Sequence, residues 1–314
     1  LRDILASLEE AADATLVVID MADYPPTVLD TIPMPASVVG PPTAIMIARD
    51  ETFAIATAAT KADPHGKDGV APDNRVSVID LTTRPPTIVQ TIAAGAGATT
   101  VRMSPDGKLV LVANRTAGTV SVFGWADKRL TLRQTIELGT TSLPSGLAFT
   151  ADGTAALVSR QGDHAIEVLH VGETVTRDPR VITAGVAPYQ IDVSPDGVYA
   201  AVGNMGRGDG DMDTVSLIDL SAVPYRTVQT LTVGRSPEGL RWSPDGKYLA
   251  VATQNGTMKP ASSPFARDKG LLVMLALDNK LLRRVTEQPT GRWTQGVAFS
   301  KDGRTVIVQA MVEH

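Results

Sequence analysis

Cysteine is absent from this chain of 314 residues. Without it there can be no disulfide, no thiolate nucleophile and no cysteine-based metal site. Long apolar runs are also missing, because runs such as Leu109–Ala113 have only the length of a β-strand. A membrane-spanning helix needs about 20 consecutive apolar residues. The sequence therefore predicts no membrane span.

Blocks of basic residues are missing as well. Lysine and arginine together number 29 against 34 aspartates and glutamates, which gives a formal net charge of −5. Proteins that bind nucleic acid or an anionic membrane concentrate cations on one surface. We therefore expect neither of these as a partner.

The sequence does contain a repeat built on the tetrapeptide Ser-Pro-Asp-Gly. It stands at 104–107, 194–197 and 243–246, with variants at 150–153 and 300–303. Successive copies are roughly 45 residues apart, which is typical of a repeat architecture. A sixth, less regular copy carries Arg-Asp-Glu at 49–51.

Each copy has the pattern of a β-hairpin. Asp-Gly between two short apolar runs predicts a tight turn, because glycine adopts positive φ without steric penalty. A second hairpin follows each first one, as in Thr119–Phe123 with Leu130–Glu137. Each unit thus supplies four antiparallel strands, named a to d in chain order. No helical period longer than about two turns appears, which disfavours an alternating α/β fold.

Four-stranded units of this kind bury their faces by packing around an axis. The sequence therefore predicts an all-β fold, a β-propeller of four-stranded antiparallel blades that forms a single domain over 1–314. We expect a partial first blade at 1–35, with Asp3–Ser7 as its strand b, and a partial last blade at 291–314. The full blades are expected at about 36–94, 95–138, 139–184, 185–233 and 234–290. This count favours seven blades, and six blades with one spare strand are the alternative.

The repeats resemble those of a known family. Val-Ser-Val-Ile-Asp-Leu at 76–81, Val-Ser-Leu-Ile-Asp-Leu at 215–220, Ser-Pro-Asp-Gly-Lys at 104–108 and Val-Ala-Asn at 112–114 are similar to the YVTN repeat. That repeat occurs in surface-layer-type and lactonase-like seven-bladed propellers, and the similarity covers nearly the whole chain. These relatives include sugar-lactone hydrolases, a muconate-lactonizing enzyme and exported propellers. The resemblance thus implies a periplasmic or extracellular location, but its motif does not carry the lactonases' catalytic residues.

The b–c and d–a loops of a propeller share one face around the central channel, where we expect a site. Three b–c loops are long, at Thr60–Asn74, Gly206–Asp213 and Gln254–Gly270. Long loops in a compact fold often carry function. The alternative is plain surface decoration.

Polar residues at strand ends are predicted to face this channel. Glu238 is the candidate general base for lactone hydrolysis, with Arg235 and Arg160 as cations for the developing oxyanion. The candidate ligand-binding residues are Asn114, Arg115, His164, Tyr189, Gln190, Asn204, Arg292, Trp293 and Gln295. Arginine side chains suit anionic or polyhydroxylated ligands. The alternative for each residue is to cap a strand or to link two blades.

The loop 206–213 places Asp209, Asp211 and Asp213 at alternate positions. Clustered carboxylates suit Ca²⁺, so these three are the candidate metal ligands, with a solvated glycine-rich loop as the alternative. No other cofactor is predicted. The sequence has no Gly-x-Ser-x-Gly motif, which disfavours a serine hydrolase triad. Aromatic residues make up only 4% of the chain, and this scarcity disfavours quinone-dependent propellers.

Three functions fit these observations. The first is a monomeric propeller that binds a small anionic or polyhydroxylated ligand, or a protein partner, at the channel face. The second is a lactonase-like enzyme that hydrolyses or cycloisomerises lactones. The third is a structural cell-envelope module.

Overall fold

The computed structural model describes residues 15–21, 25–37 and 43–312. In this part of the chain the protein is almost entirely β-structure, with two single-turn 3-10 helices at Lys67–Gly69 and Gln161–Asp163. No helix within these ranges is long and apolar enough to cross a membrane. The chain divides into two compact units with the boundary after Thr140, except that Thr43 groups with the second unit.

The described residues of the first unit form two complete four-stranded antiparallel sheets, β3-β4-β7-β8 and β9 to β12, and two hairpins, β1-β2 and β5-β6. Its strands are β1 (Thr15–Asp20), β2 (Thr27–Pro33), β3 (Ile45–Ile47), β4 (Phe53–Thr57), β5 (Thr60–Ala62), β6 (Val70–Pro72), β7 (Arg75–Asp80), β8 (Thr87–Ala93), β9 (Ala98–Met103), β10 (Leu109–Asn114), β11 (Thr119–Ala126) and β12 (Arg129–Glu137). The β5-β6 hairpin occupies the first of the long b–c loops. The strand predicted at Asp3–Ser7 lies outside the described residues.

The second unit contains three complete sheets, β13 to β16, β17 to β20 and β21 to β24, followed by the pair β25-β26. Its strands are β13 (Pro144–Phe149), β14 (Ala155–Arg160), β15 (Ala165–Val171), β16 (Val175–Thr183), β17 (Pro188–Val193), β18 (Tyr199–Asn204), β19 (Asp213–Asp219), β20 (Arg226–Gly234), β21 (Pro237–Trp242), β22 (Tyr248–Thr253), β23 (Gly270–Asp278), β24 (Leu281–Thr290), β25 (Arg292–Phe299) and β26 (Val306–Val312). The prediction of an all-β fold made of four-stranded antiparallel sheets in chain order is confirmed.

The Ser-Pro-Asp-Gly turns are held by their own side chains. In the copy at 104–107, Ser104 Oγ donates to Asp106 Oδ1 at 2.6 Å and accepts from the backbone N–H of Leu109 at 2.9 Å. Gly107 has a φ of +72°. The serine or threonine makes the same pair of bonds in the other four copies. The motif therefore builds the a–b turn with its own side chains.

Successive sheets of the second unit pack on apolar side chains, and their first strands approach each other closely. Val215 and Leu217 of β19 share a buried cluster with Leu240 of β21 and Val251 of β22. A Cβ on Gly239 would lie 1.9 Å from the backbone oxygen of Gln295. Only glycine permits this distance, which places the side chains of β21 beside those of β25.

Candidate functional site

Glu238, the second residue of β21, is buried between amide donors. Its side chain is 5% exposed. Gln295 Nε2, on β25, donates to Glu238 Oε1 at 3.0 Å, and Gln254 Nε2, just after β22, donates to Glu238 Oε2. The structure therefore places the predicted residues Glu238 and Gln295 in direct contact.

Burial raises the pKa of Glu238 to about 7, and the hydrogen bonds from Gln254 and Gln295 only partly oppose this effect. A carboxyl group moved out of water favours its neutral form unless a cation compensates. No cation contributes to the shift at Glu238. Its carboxyl group can therefore take up and release a proton near neutral pH, as a general acid or base requires.

The two arginines predicted to assist Glu238 are engaged elsewhere. Arg160 NH1 donates to Glu167 Oε2 at 2.8 Å, and Arg160 Nε donates to Asp163 Oδ2 at 2.8 Å. Glu167 is fully buried, so Arg160 neutralises a charge inside its own sheet. Arg235 Nε donates to the backbone oxygen of Gly210 at 2.9 Å. The hydrogen bonds of the two arginines thus lead away from Glu238.

The loops 206–213 and 254–270 contact each other. Lys259 Nζ donates to the backbone oxygen of Gly208. The ring of Phe265 lies so close to Gly210 that a Cβ there would be 2.5 Å from the ring. Together with the bond from Arg235, these contacts fix the two long b–c loops beside the turn that leads to Glu238.

The three aspartates of the loop 206–213 do not converge. Asp209 and Asp211 are exposed, whereas Asp213 is half-buried and accepts the backbone N–H of Ser236 at 2.8 Å. Burial raises the pKa of Asp213 to about 6, with smaller contributions from Asp209 and Asp211. Among the described residues, no three histidine, aspartate or glutamate side chains are grouped closely enough to hold a metal ion. The arrangement gives no support to the predicted calcium site.

The two asparagines predicted to bind ligand are buried inside their sheets. Asn204 is 1% exposed, and its Nδ2 donates to Thr214 Oγ1 and Ser216 Oγ, both at 3.0 Å. Asn114 in the first unit has no exposed surface and makes the corresponding two bonds at 2.9 Å. Through these bonds both residues tie strand b to strand c.

Gln190 and His164 link neighbouring sheets of the second unit. The Gln190 side chain donates to the backbone oxygen of Leu240 at 2.8 Å and accepts its N–H at 3.1 Å. His164 Nδ1 accepts the backbone N–H of Ala187 at 3.0 Å. Both residues were predicted to contact ligand. In the structure, the Gln190 amide and His164 Nδ1 form hydrogen bonds with the backbone of the neighbouring sheet.

The remaining predicted ligand-binding residues occupy strand ends and turns. Arg292 NH2 donates to the backbone oxygen of Thr257 at 3.0 Å, and Trp293 is 9% exposed. Tyr189 is half-buried on β17. Arg115, in the first unit, is half-buried and donates its backbone N–H to Gly97 at 2.8 Å.

Sequence reasoning missed Gln254 and Thr257, which it placed only within a long loop. Gln254 directly follows strand β22, which pairs with β21. That position could have indicated that Gln254 lies near the start of β21, where Glu238 stands. Thr257 is fully buried and accepts the backbone N–H of Trp293 at 2.9 Å. No sequence motif distinguishes it.

A separate groove of about 240 Å³ lies between the sheets β13 to β16 and β17 to β20. Its apolar side includes Val168 and Tyr225. At its polar end, His170 Nε2 lies 2.9 Å from Asp178 Oδ2. None of the residues predicted to form a site lines this groove.

Comparison with known proteins identifies a family that part of this chain resembles. Residues 74–178, about a third of the chain, match the family described as "Lactonase, 7-bladed beta-propeller". This match confirms the resemblance predicted from the repeats and is consistent with the prediction of seven blades. No curated protein matches the chain.

Several solved structures share the fold. A proposed 6-phosphogluconolactonase from Bacteroides uniformis is 18% identical with a TM-score of 0.71, and the match covers 91% of this chain and 81% of that one. A second, from Bacteroides fragilis, is 17% identical with a TM-score of 0.70 and coverages of 94% and 87%. Hydrazine synthase of Kuenenia stuttgartiensis is 20% identical with a TM-score of 0.66 and coverages of 87% and 74%. These similarities show the propeller fold.

Proposed function

We propose that this protein, a lactonase-like seven-bladed β-propeller, hydrolyses a lactone and uses Glu238 as its general acid and base. The observation that carries the proposal is a buried carboxyl group, held by two amides, whose pKa is raised to about 7. Perturbed carboxyl groups of this kind are typical of catalytic sites. The similarity of residues 74–178 to the lactonase family supplies the reaction class.

Ring opening needs one proton taken up and one returned. The Glu238 carboxylate would accept a proton from water as its oxygen attacks the lactone carbonyl. The carbonyl carbon–ring oxygen bond then breaks, and the Glu238 carboxyl group would return the proton to the departing alkoxide. Lactone and water are thereby converted to a hydroxy acid, and Glu238 ends in its starting state.

The developing oxyanion needs hydrogen-bond donors. Each glutamine amide nitrogen carries two hydrogens, and those of Gln254 and Gln295 each donate one to Glu238. Their second hydrogens are our candidates for oxyanion contacts. Arg160 and Arg235 are less suitable, since both already donate to protein oxygens.

A binding protein without chemistry is the second candidate function. It is supported by the same two amide contacts, since a carboxyl group with both oxygens bonded can also have a purely structural role. A polyhydroxylated ligand would suit the amide and hydroxyl groups of the first strands. The two functions differ in whether Glu238 must exchange a proton.

A lactone-hydrolysis assay separates them. Acid release from a panel that includes δ-gluconolactone, its 6-phosphate and γ-butyrolactone is measured above the spontaneous rate. We expect Glu238→Gln to lower kcat/KM by about 100-fold or more. Glu287→Gln is the matched control, because Glu287 is an exposed glutamate on β24 of the same sheet. Equal rates for the two variants would rule out catalysis by Glu238, and ligand binding without turnover by the wild type would favour the second function.

A further inference from the structure

Three turns of the second unit are each held by a hydrogen bond from a backbone N–H to a side chain, and the side chain differs from turn to turn. Ala187 and Ser236 immediately precede the first strands β17 and β21, and Trp293 is the second residue of β25. Their φ values are 54°, 52° and 51°, respectively. The backbone N–H of each is accepted by a side chain of the preceding b–c connection. The acceptors are His164 Nδ1 at 3.0 Å, Asp213 Oδ2 at 2.8 Å and Thr257 Oγ1 at 2.9 Å, respectively. We call each such bond a latch.

Two of the three latches hold a residue that stands two positions before Glu238 or before Gln295, its amide donor. The Asp213 latch holds Ser236, and Glu238 follows on β21. The Thr257 latch holds Trp293, and Gln295 follows on β25. The His164 latch precedes Tyr189 instead.

Thr257 is also bonded to Gln254, the second amide donor to Glu238. Its hydroxyl group is fully buried, accepts the N–H of Trp293 and donates to the backbone oxygen of Gln254 at 2.8 Å. A single side chain therefore connects the segments that carry Gln254 and Gln295, the two amides bonded to Glu238.

We propose that Asp213 and Thr257 are positioning residues for Glu238, which hold its strand and its two amide donors together and keep bulk water away from its carboxyl group. The inference rests on the function proposed for Glu238. Non-glycine residues at positive φ are strained, so a turn of this kind persists only where its surroundings hold it. Loss of a latch acceptor leaves a backbone N–H unpaired and frees the turn to move.

The test follows the pKa of Glu238 by ¹³C NMR of the side-chain carboxyl group, assigned by comparison with Glu238→Gln. We expect Asp213→Ala and Thr257→Ala each to lower this pKa by about one unit or more. Burial is the largest influence on it, so the entry of water outweighs any weakening of the two amide bonds, which alone would raise it. Asp213→Asn and Thr257→Ser keep an acceptor oxygen and should retain the raised pKa. His164→Ala removes the latch before Tyr189 and should also leave the pKa of Glu238 unchanged.

Three results would overturn the inference. They are an unchanged pKa in both alanine variants, an equal shift in His164→Ala, or the same shift in Asp213→Asn as in Asp213→Ala, which would assign the effect to charge. The readout does not depend on turnover. A wild type without lactonase activity would therefore refute the proposed function, while the NMR titration would still decide the positioning roles.

Discussion

Gln295 Nε2 lies 3.0 Å from Glu238 Oε1, and this bond joins the first strands of two successive sheets. It forms because Gly239 lets the backbones of β21 and β25 approach more closely than any side chain would allow. An uncharged donor stabilises the carboxylate less than a cation would, so burial dominates and the pKa of Glu238 rises. The packing of the sheets thus sets the chemistry of the site.

The first prediction concerns stability as a function of pH. Burial in the folded protein raises the pKa of Glu238 from its usual value of 4.5 to about 7. Between pH 4.5 and pH 7, therefore, Glu238 is protonated in the folded state and ionised in the unfolded state. Stability is therefore lost as the pH rises through this range. Glu238→Gln removes the contribution of Glu238 to this dependence, and its stability relative to wild type should grow by up to about 3 kcal/mol between pH 5 and pH 8. Urea unfolding at both pH values measures this, and a constant difference would contradict the raised pKa.

The second prediction assigns Arg160 to stability. Arg160→Ala leaves the fully buried Glu167 with Arg177 as its other ion-pair partner, at a cost of about 1–3 kcal/mol. Arg180→Ala, at a largely exposed arginine, should change the unfolding free energy by less than about 0.5 kcal/mol. We expect kcat/KM of folded Arg160→Ala to match that of wild type. A large loss of kcat/KM without loss of stability would return Arg160 to the catalytic role predicted from the sequence.

The third prediction tests the close approach of the first strands. Gly239→Ala would place a methyl group against the backbone oxygen of Gln295, which cannot move aside without separating the sheets. We expect a loss of about 3 kcal/mol or more, together with loss of activity. At Gly172 an added Cβ finds its nearest neighbour at an ordinary 3.7 Å, so Gly172→Ala should be nearly neutral in thermal unfolding. Similar melting temperatures for the two variants would be inconsistent with this packing.

The fourth prediction concerns the repeated turn. Ser243→Ala removes the acceptor for the backbone N–H of Tyr248 and the donor to Asp245. Because Ser243 is 2% exposed, we expect a loss of about 1–2 kcal/mol, with no change in KM. Ser262→Ala, at an exposed serine of the long loop, serves as the control for unfolding by urea. If both variants unfold at the same urea concentration, the turn's side-chain bonds do not contribute to stability.

Local features of this protein were predictable from its sequence, whereas contacts between sheets were not. The Ser-Pro-Asp-Gly turn closes within six residues, so the hairpins and their order follow from the repeat. The turns at Ala187, Ser236 and Trp293 adopt positive φ without glycine, and no local pattern reveals them. Gln295 lies 57 residues from Glu238 in the chain, and only the packing of two sheets brings them together.

The bonding partners of Arg160 and Arg235 were not predicted, for a related reason, and the catalytic roles of the two arginines stay predictions. Strand-end arginines can face a ligand or pair with carboxylates of their own sheet, and residue type does not distinguish the two. Asp163 stands three residues after Arg160 and Glu167 seven, so the ion-pair partners were close in sequence. Sequence position identified Glu238 as the acid–base candidate, but only the structure shows that its partners are amides.

The pH dependence of kcat/KM for lactone hydrolysis by the wild type is the decisive test of Glu238 as general base. If the Glu238 carboxylate is the general base, the rate above the spontaneous background should rise with an apparent pKa near 7 and level off above it. The rise should disappear in Glu238→Gln. A profile that is flat between pH 5 and pH 8, or one that is unchanged in Glu238→Gln, would contradict the account.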